Sequence, residues 1–274
     1  MEHTGIYNNP LLKALHQLSA SIWVERAVHI QESIGLTRGK TDQVDAKRIA
    51  LFAYKNRDEA RLWTPPRAVI TQLDRLTAQR ARLVKVIKIL QTPLTDSEGF
   101  IDKADRRANQ QACTASLKSL KADLKAVDKS IAELVKQDPE LNRLFERVTS
   151  VVGISQTTAA EIIVTTNEFK AIRDPKKFAC YAGVVPFERS SGQRKGRPQV
   201  SHRANKKVKF LLHMGAMSAV QHCVQLKAYY ERKVSEGKNK MLVFNNVRNK
   251  IVLRIFACVR EDRNYDENFS FPFV

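Results

Sequence analysis

Residues 117–134, Leu117-Lys118-Ser119-Leu120-Lys121-Ala122-Asp123-Leu124-Lys125-Ala126-Val127-Asp128-Lys129-Ser130-Ile131-Ala132-Glu133-Leu134, place an apolar side chain at alternating steps of three and four. That is the a/d seam of a coiled coil. Upstream, Leu73, Leu76, Leu83, Ile87 and Leu90 fall on the same kind of seam, with Arg80 as a polar interruption. A polar connection containing Pro93 and Gly99 separates the two runs. Two such helices joined by a loop predict an antiparallel hairpin over residues 63–145, closed within one chain or used to join protomers. As packing positions, these leucines need be nothing more than scaffold.

On the N-terminal side, residues 1–62 read as a piece of an α/β unit. Leu11, Leu12, Leu15 and Leu18 recur at helical spacing after Pro10, and Ile22-Trp23-Val24 suits a short buried strand. Thr41 is a good N-cap for a following helix whose apolar stripe is Val44, Ala46, Ile49, Ala50 and Phe52. One or two strands do not make a stable sheet, so this piece borrows strands or has lost them. Thr64-Pro65-Pro66 then punctuates the chain.

On the C-terminal side, Val148, Val151, Val152, Gly153, Ile154 and Thr157–Val164 give the pattern of a helix-hairpin-helix. The amides at such a helix start can hold a phosphate, and a glycine between two apolar helices is equally an ordinary turn. Further helices are expected near 175–182, 204–222, 224–235 and 240–260, then an irregular tail over 263–274. The fold class is therefore mixed α/β but mainly helical. It divides into an α/β piece (1–62), a coiled-coil hairpin (63–145), a helical domain (146–262) and the tail.

The 274 residues include 47 Lys+Arg against 28 Asp+Glu, a formal net charge of +19. Such a charge points to nucleic acid as the partner. No window offers the roughly 18 consecutive apolar residues of a membrane span, and no signal-peptide core opens the chain, so a soluble cytoplasmic protein is expected. Cys113, Cys180, Cys223 and Cys258 lie far apart, and His213 and His222 sit in helical patterns, so no zinc site is indicated.

The charge is not spread evenly. No Asp or Glu occurs between Arg189 and Tyr230, whereas Arg189, Arg194, Lys195, Arg197, Arg203, Lys206, Lys207 and Lys209 crowd into the first half of that stretch. Ser190, Ser191, Gly192, Gly196 and Pro198 read as a flexible loop at its centre, able to wrap a phosphodiester backbone with cations and open N–H groups. Ser191 stands where arginines would stabilise charge on phosphorus during attack, although a serine there is also a common turn residue. Asp42 and Asp45, three apart in a first helical turn, can hold a divalent metal or simply complement the helix dipole. Glu2 acquires meaning only through partners.

Together these pieces resemble the insertion-sequence transposases (recombinases) of the IS-one-ten type, which join a RuvC-like (RNase H-like) DEDD domain to a serine-bearing transposase domain. Glu2-His3-Thr4-Gly5-Ile6-Tyr7 resembles the family's Glu-x-Thr-Gly-x-Tyr, and Lys40-Thr41-Asp42-Gln43-Val44-Asp45-Ala46 resembles Lys-Thr-Asp-x-x-Asp-Ala. A third set runs from Val152-Gly153-Ile154 and Thr157–Ala160 through Phe169, Tyr181–Pro186, Ser190-Ser191-Gly192 and Lys206–Lys209 to Tyr229-Tyr230 and Gly237-Lys238.

The resemblance implies that Glu2, Asp42 and Asp45 are three of four carboxylates that bind Mg²⁺, and that Ser191 is the nucleophile forming a transient phosphoserine with DNA. Ser190 becomes the nucleophile if the alignment slips by one. It also implies DNA partners (element ends and target), a structured guide RNA and a homo-oligomer. The family's first aspartate lies on a strand upstream of the matched glutamate, which leads to the expectation of an N-terminally truncated chain with impaired activity. Two rivals stand beside this reading. One is a RuvC-like junction nuclease using metal-activated water, and the other a non-catalytic DNA- or RNA-binding remnant.

Overall fold

The structure is a computed structural model. It describes residues 1–35, 41–96, 100–191, 194–200 and 204–267, with the backbone alone for 187–191, 194, 195 and 197–199. The chain divides into two compact units, Met1–Pro66 and Arg67–Val274, and it is mainly helical.

In the first unit, Pro10 sits in the first turn of α1 (Asn9–Gln17), where its missing N–H costs nothing. α2 (Ala27–Ile34) and α3 (Asp42–Lys55) follow. Thr41 caps α3 as its residue type predicts, its Oγ1 accepting from the Val44 amide at 3.3 Å. Leu12, Ile22, Ile30 and Phe52 are buried, and the Trp23 ring lies 5.2 Å from that of Phe52. The expected strand at Ile22–Val24 is not formed. Trp23 makes only an isolated antiparallel bridge with Leu62, and Glu2 an isolated parallel bridge with Glu25. Extended residues with one partner and no ladder do not build a sheet.

The second unit begins with the hairpin. α4 (Ala68–Asp96) and α5 (Lys103–Gln137) pack along the seam read from the sequence. The polar interruption is explained across the interface, because Arg80 Nε donates to Asp128 Oδ1 at 2.6 Å. Pro93, expected in the connection, lies inside α4, which continues to Asp96. Proline removes a single N–H so near the helix end, and Leu94 beyond it shares a groove with Leu117 of α5. Burial grades along the hairpin. Ile70, Leu73, Val127, Ile131, Leu134 and Val135 belong to the main core, while Leu90, Leu117, Leu120 and Leu124 are half-buried.

α6 (Pro139–Thr149) and α7 (Gln156–Thr166) flank the Gly153 turn. Gly153 has φ +92°, and a Cβ there would lie 2.3 Å from the Gly215 carbonyl oxygen. The turn is thus pressed into α9 (Lys206–His222), and the same glycine serves both positive φ and close approach. α8 (Pro175–Tyr181), the strands β1 (Phe187–Ser191) and β2 (Arg194–Gln199), α10 (Val224–Ser235) and α11 (Lys240–Arg260) complete the unit. The core gathers Leu141, Val148, Ile162, Phe178, Leu212, Leu226, Ile251 and Ile255.

One ion cluster ties the hairpin root to the rest. Arg67 Nε donates to both Glu168 oxygens at 2.9 and 3.1 Å, and its terminal nitrogens reach Asp138 at 2.8 and 3.0 Å. The Glu168 side chain is only 1% exposed. Burial opposes its charge, yet hydrogen bonds from Arg67 and Lys170 outweigh that and hold its carboxyl below the usual range.

Candidate nucleic-acid interface and catalytic residues

The serine segment is a β-hairpin rather than the flexible loop expected from its composition. β1 and β2 pair antiparallel, with Ser191 opposite Arg194, Ser190 opposite Lys195 and Arg189 opposite Gly196. Gly192 and Gln193, between the two strands in sequence, lie outside the described residues. The turn-forming residues that suggested a loop have another explanation. Between the Phe187↔Gln199 and Arg189↔Gly196 pairs, Arg197 and Pro198 stand against Glu188 alone. Such a bulge is where a proline, lacking an N–H, is tolerated in a ladder.

Both roots of this hairpin are fixed. Asn245 of α11 donates its side-chain amide to the Val184 carbonyl, and the Val184 amide donates to Ala179 O at 2.9 Å. On the other side, Asn205 caps α9 by accepting from the Lys207 and Val208 amides at 3.0 and 3.1 Å. Asn205 also donates to Tyr181 through its amide, 2.9 Å to the carbonyl, and through Nδ2, 2.8 Å to the hydroxyl. A Cβ on Gly183, φ +64°, would lie 2.4 Å from Ala204 Cβ, so the two roots touch.

The expected cations fare differently. Arg189, Arg194, Lys195 and Arg197 lie on the hairpin, where the backbone alone is described, and Arg203 lies outside the described residues. Lys206 is exposed at the α9 N-terminus. Lys207 is committed elsewhere, its Nζ 2.5 Å from Glu161, whose side chain is 10% exposed. Lys209 is half-buried, with its stem beside Gly183.

A cationic site absent from the sequence reading appears between α10 and α11. Gln225, Tyr229, Arg232, Lys250 and Arg254 line a cavity of about 360 Å³ with no carboxylate in its wall among the described residues. Lys250 Nζ lies 4.6 Å from the Tyr229 ring centre and Arg232 Cζ 5.9 Å, while Gln225 holds Arg254 at 3.0 Å. An aromatic ring among cations suits a base or a phosphate. The sequence signal was the i, i+4 pair Lys250 and Arg254, which only α10 gives a partner.

The carboxylates do not gather. Asp42 and Asp45 occupy the first turn of α3, and Asp45 Oδ1 accepts from Arg48 at 3.0 Å. The backbone of Glu2 is engaged in its bridge with Glu25. Among the described residues no group of three or more His, Cys, Asp or Glu side chains could hold a metal ion. The donor set as placed therefore does not fit a resident Mg²⁺. No helix among the described residues is long and apolar enough to cross a membrane.

Comparison with known proteins gives two family matches. Residues 145–231 match the transposase IS116/IS110/IS902 family, and residues 1–95 match the DEDD transposase domain of IS110 elements, together 182 of 274 positions. The first match contains Ser190, Ser191 and Lys206–Lys209, and the second contains Glu2, Asp42 and Asp45.

Among full-length relatives, the pilin gene-inverting protein of Moraxella bovis is 23% identical over 97% of this chain and 81% of its own length. A 44.8 kDa protein of insertion element IS116 from Streptomyces clavuligerus is 25% identical over 82% of this chain and 72% of its own. The transposase for insertion sequence element IS1111A of Coxiella burnetii is 26% identical over 48% of this chain and 37% of its own. With both of the family's domains present in order and relatives aligned across nearly the whole chain, the protein belongs to the IS110-type transposases.

Proposed function

We propose that this chain cuts and rejoins insertion-sequence DNA through a covalent serine intermediate, with Ser191 as the nucleophile. The observation that carries the reading is the position of Ser191 at the end of β1, opposite Arg194, inside a stretch free of carboxylates. An anionic phosphodiester is drawn to such a stretch.

Ser191 Oγ attacks phosphorus, and its bond to phosphorus forms as the bond to one deoxyribose oxygen breaks. The serine proton leaves to solvent, and the released deoxyribose oxygen takes up a proton. In the second step a deoxyribose hydroxyl attacks the phosphoserine, restoring a phosphodiester and returning the proton to Ser191. The number of phosphoester bonds is unchanged at each step, so rejoining needs no external energy source. Cations on the hairpin and at the α9 N-terminus would stabilise charge on the five-coordinate phosphorus.

Family membership supports metal dependence at the level of the DEDD domain. A RuvC-like character for residues 1–62, the 63–145 and 146–262 divisions, a guide RNA and a homo-oligomer all belong to the same proposal; a Mg²⁺ held jointly by Glu2, Asp42 and Asp45 does not, because the three do not gather among the described residues. The reading is tested on DNA carrying element ends. Ser191→Ala should lower strand joining and the covalent protein–DNA adduct by about 10³-fold or more, with Ser190→Ala retaining both. Retained joining in Ser191→Ala, with loss in Asp42→Ala, would instead favour a water-using nuclease.

One observation favours a second reading. The dispersed carboxylates suit a non-catalytic nucleic-acid binder, which predicts salt-sensitive binding that survives both substitutions.

A further inference from the structure

We infer that Arg248 is a receptor for a phosphodiester, held by the helical unit as a buried cation without a counter-charge among the described residues. The inference rests on the nucleic-acid reading above and adds a residue to it.

Arg248 lies on α11 beside the fully buried Val247 and one turn before Ile251, and it is 6% exposed. Its Nε is buried and has no hydrogen-bond partner among the described residues. No carboxylate pairs with it there. The same fold does pair its buried acids: Glu161 has Lys207, and Glu168 has Arg67 and Lys170. A buried guanidinium with an unpartnered Nε and no paired carboxylate among the described residues is costly, so its presence asks for a ligand that supplies the missing charge.

Neighbouring groups do not supply it. His213, reaching across from α9, has a buried Nδ1 that is also unpartnered. Burial, and then the charge of Arg248, push the His213 imidazole below its ordinary value. An imidazole, neutral or protonated, offers no anion. Phe244, four residues before Arg248 on α11, has its ring 5.7 Å from that of His213 and 4.8 Å from that of Tyr230.

Position then selects the kind of anion. Asn245, three residues before Arg248, is the residue that holds the Val184 carbonyl at the entry to the serine hairpin. Arg248 thus shares a short stretch of α11 with the anchor of that hairpin. The chain offers no Asp or Glu between Arg189 and Tyr230, and it carries a net +19. A phosphate oxygen supplies the missing charge and is an acceptor that a guanidinium fork pairs with.

Binding of an uncleavable, random-sequence DNA duplex tests this through affinity, salt dependence and melting temperature. Arg248→Met removes the charge at nearly constant volume. The free protein should melt at the same temperature or higher, because an uncompensated charge has gone. Duplex affinity should fall by about tenfold or more, and the slope of log affinity against log salt should shrink by about one. Arg248→Lys should recover part of the affinity and the full slope.

Unchanged affinity and slope in both variants would overturn the proposal. So would a large drop in melting temperature in Arg248→Met with Arg248→Lys binding like wild type in slope but melting equally low, which would make the residue structural. Unchanged DNA binding with a smaller assembly in sedimentation would assign the missing charge to a second copy, again overturning it. Because the duplex is not cut, none of these outcomes depends on Ser191. Joining activity retained in Ser191→Ala would sink the serine reading and leave this one standing.

Discussion

The carbonyl oxygen of Gly215 occupies the space that a side chain on Gly153 would need, 2.3 Å from the position of its Cβ. The reverse contact is nearly as close, 2.8 Å from a Cβ on Gly215 to the Gly153 oxygen. Gly153→Ala combines this collision with a positive φ and should lower stability by about 3 kcal/mol. Gly215→Ala, whose backbone is ordinary helix, should cost about 1–2 kcal/mol. Urea midpoints measure both, with the slope of unfolding unchanged.

The Arg67 cluster sets an acid limit. Asp138 is held below its usual range first by the Arg67 hydrogen bond, and Glu168 is lowered as well despite its burial. Folded values below unfolded ones mean stability that is fully present above the ordinary carboxylate range and disappears as pH falls below about 4. Arg67→Met should flatten that acid dependence. It should also cost about 3 kcal/mol at pH 7, because Glu168 is left buried with Lys170 as its remaining partner. Melting temperatures from pH 3 to 7 check both.

Arg80 and Asp128 make a contact of 2.6 Å, but their side chains remain 26% and 47% exposed. A pair this wet should show a coupling of only about 0.5 kcal/mol in a double-mutant cycle. Arg80→Leu, which completes the apolar seam, should be neutral or slightly stabilising.

Two lysines of similar appearance should separate in a DNA titration. Lys250→Gln, at the open cavity with Tyr229, should reduce the salt slope of binding by about one. Lys207→Gln should leave that slope nearly unchanged and lower the melting temperature, since it leaves Glu161 unpaired in a nearly buried position. Fluorescence anisotropy across salt concentrations distinguishes the two, and equal slopes for both variants would refute the assignment.

The hairpin helices and α9–α11 were legible because their information is local. Seam periodicity, the Thr41 cap and the Pro10 start are each written within a turn or two of the residues they organise. The strand expected at Ile22–Val24 was not, because ladder formation depends on partners elsewhere in the chain. The serine segment was misread for a related reason. Gly196 and Pro198 signal a break locally, and only the register of β2 against β1 turns that break into a bulge.

The acid-free stretch is legible in the sequence, but which of its cations are free is not. Lys207 is matched by a glutamate 46 positions earlier, and Arg248 is marked by an Nε without a partner among the described residues; neither fact has a local signature. The motifs around Glu2, Asp42 and Asp45 are legible in the sequence, while whether three carboxylates gather is not, and among the described residues no such group forms.

The grading of burial along α4 and α5 has a mechanical consequence. At its base the hairpin is continuous with the main core through Ile70, Leu73, Ile131 and Leu134, whereas Leu90, Leu117 and Leu120 near the far end keep part of their surface in water. Amide exchange should therefore speed up progressively outward, as in a cantilever clamped at one end and compliant at the other. A load applied to the outer part of α4 and α5 would bend the arm locally before it strained the core at its base.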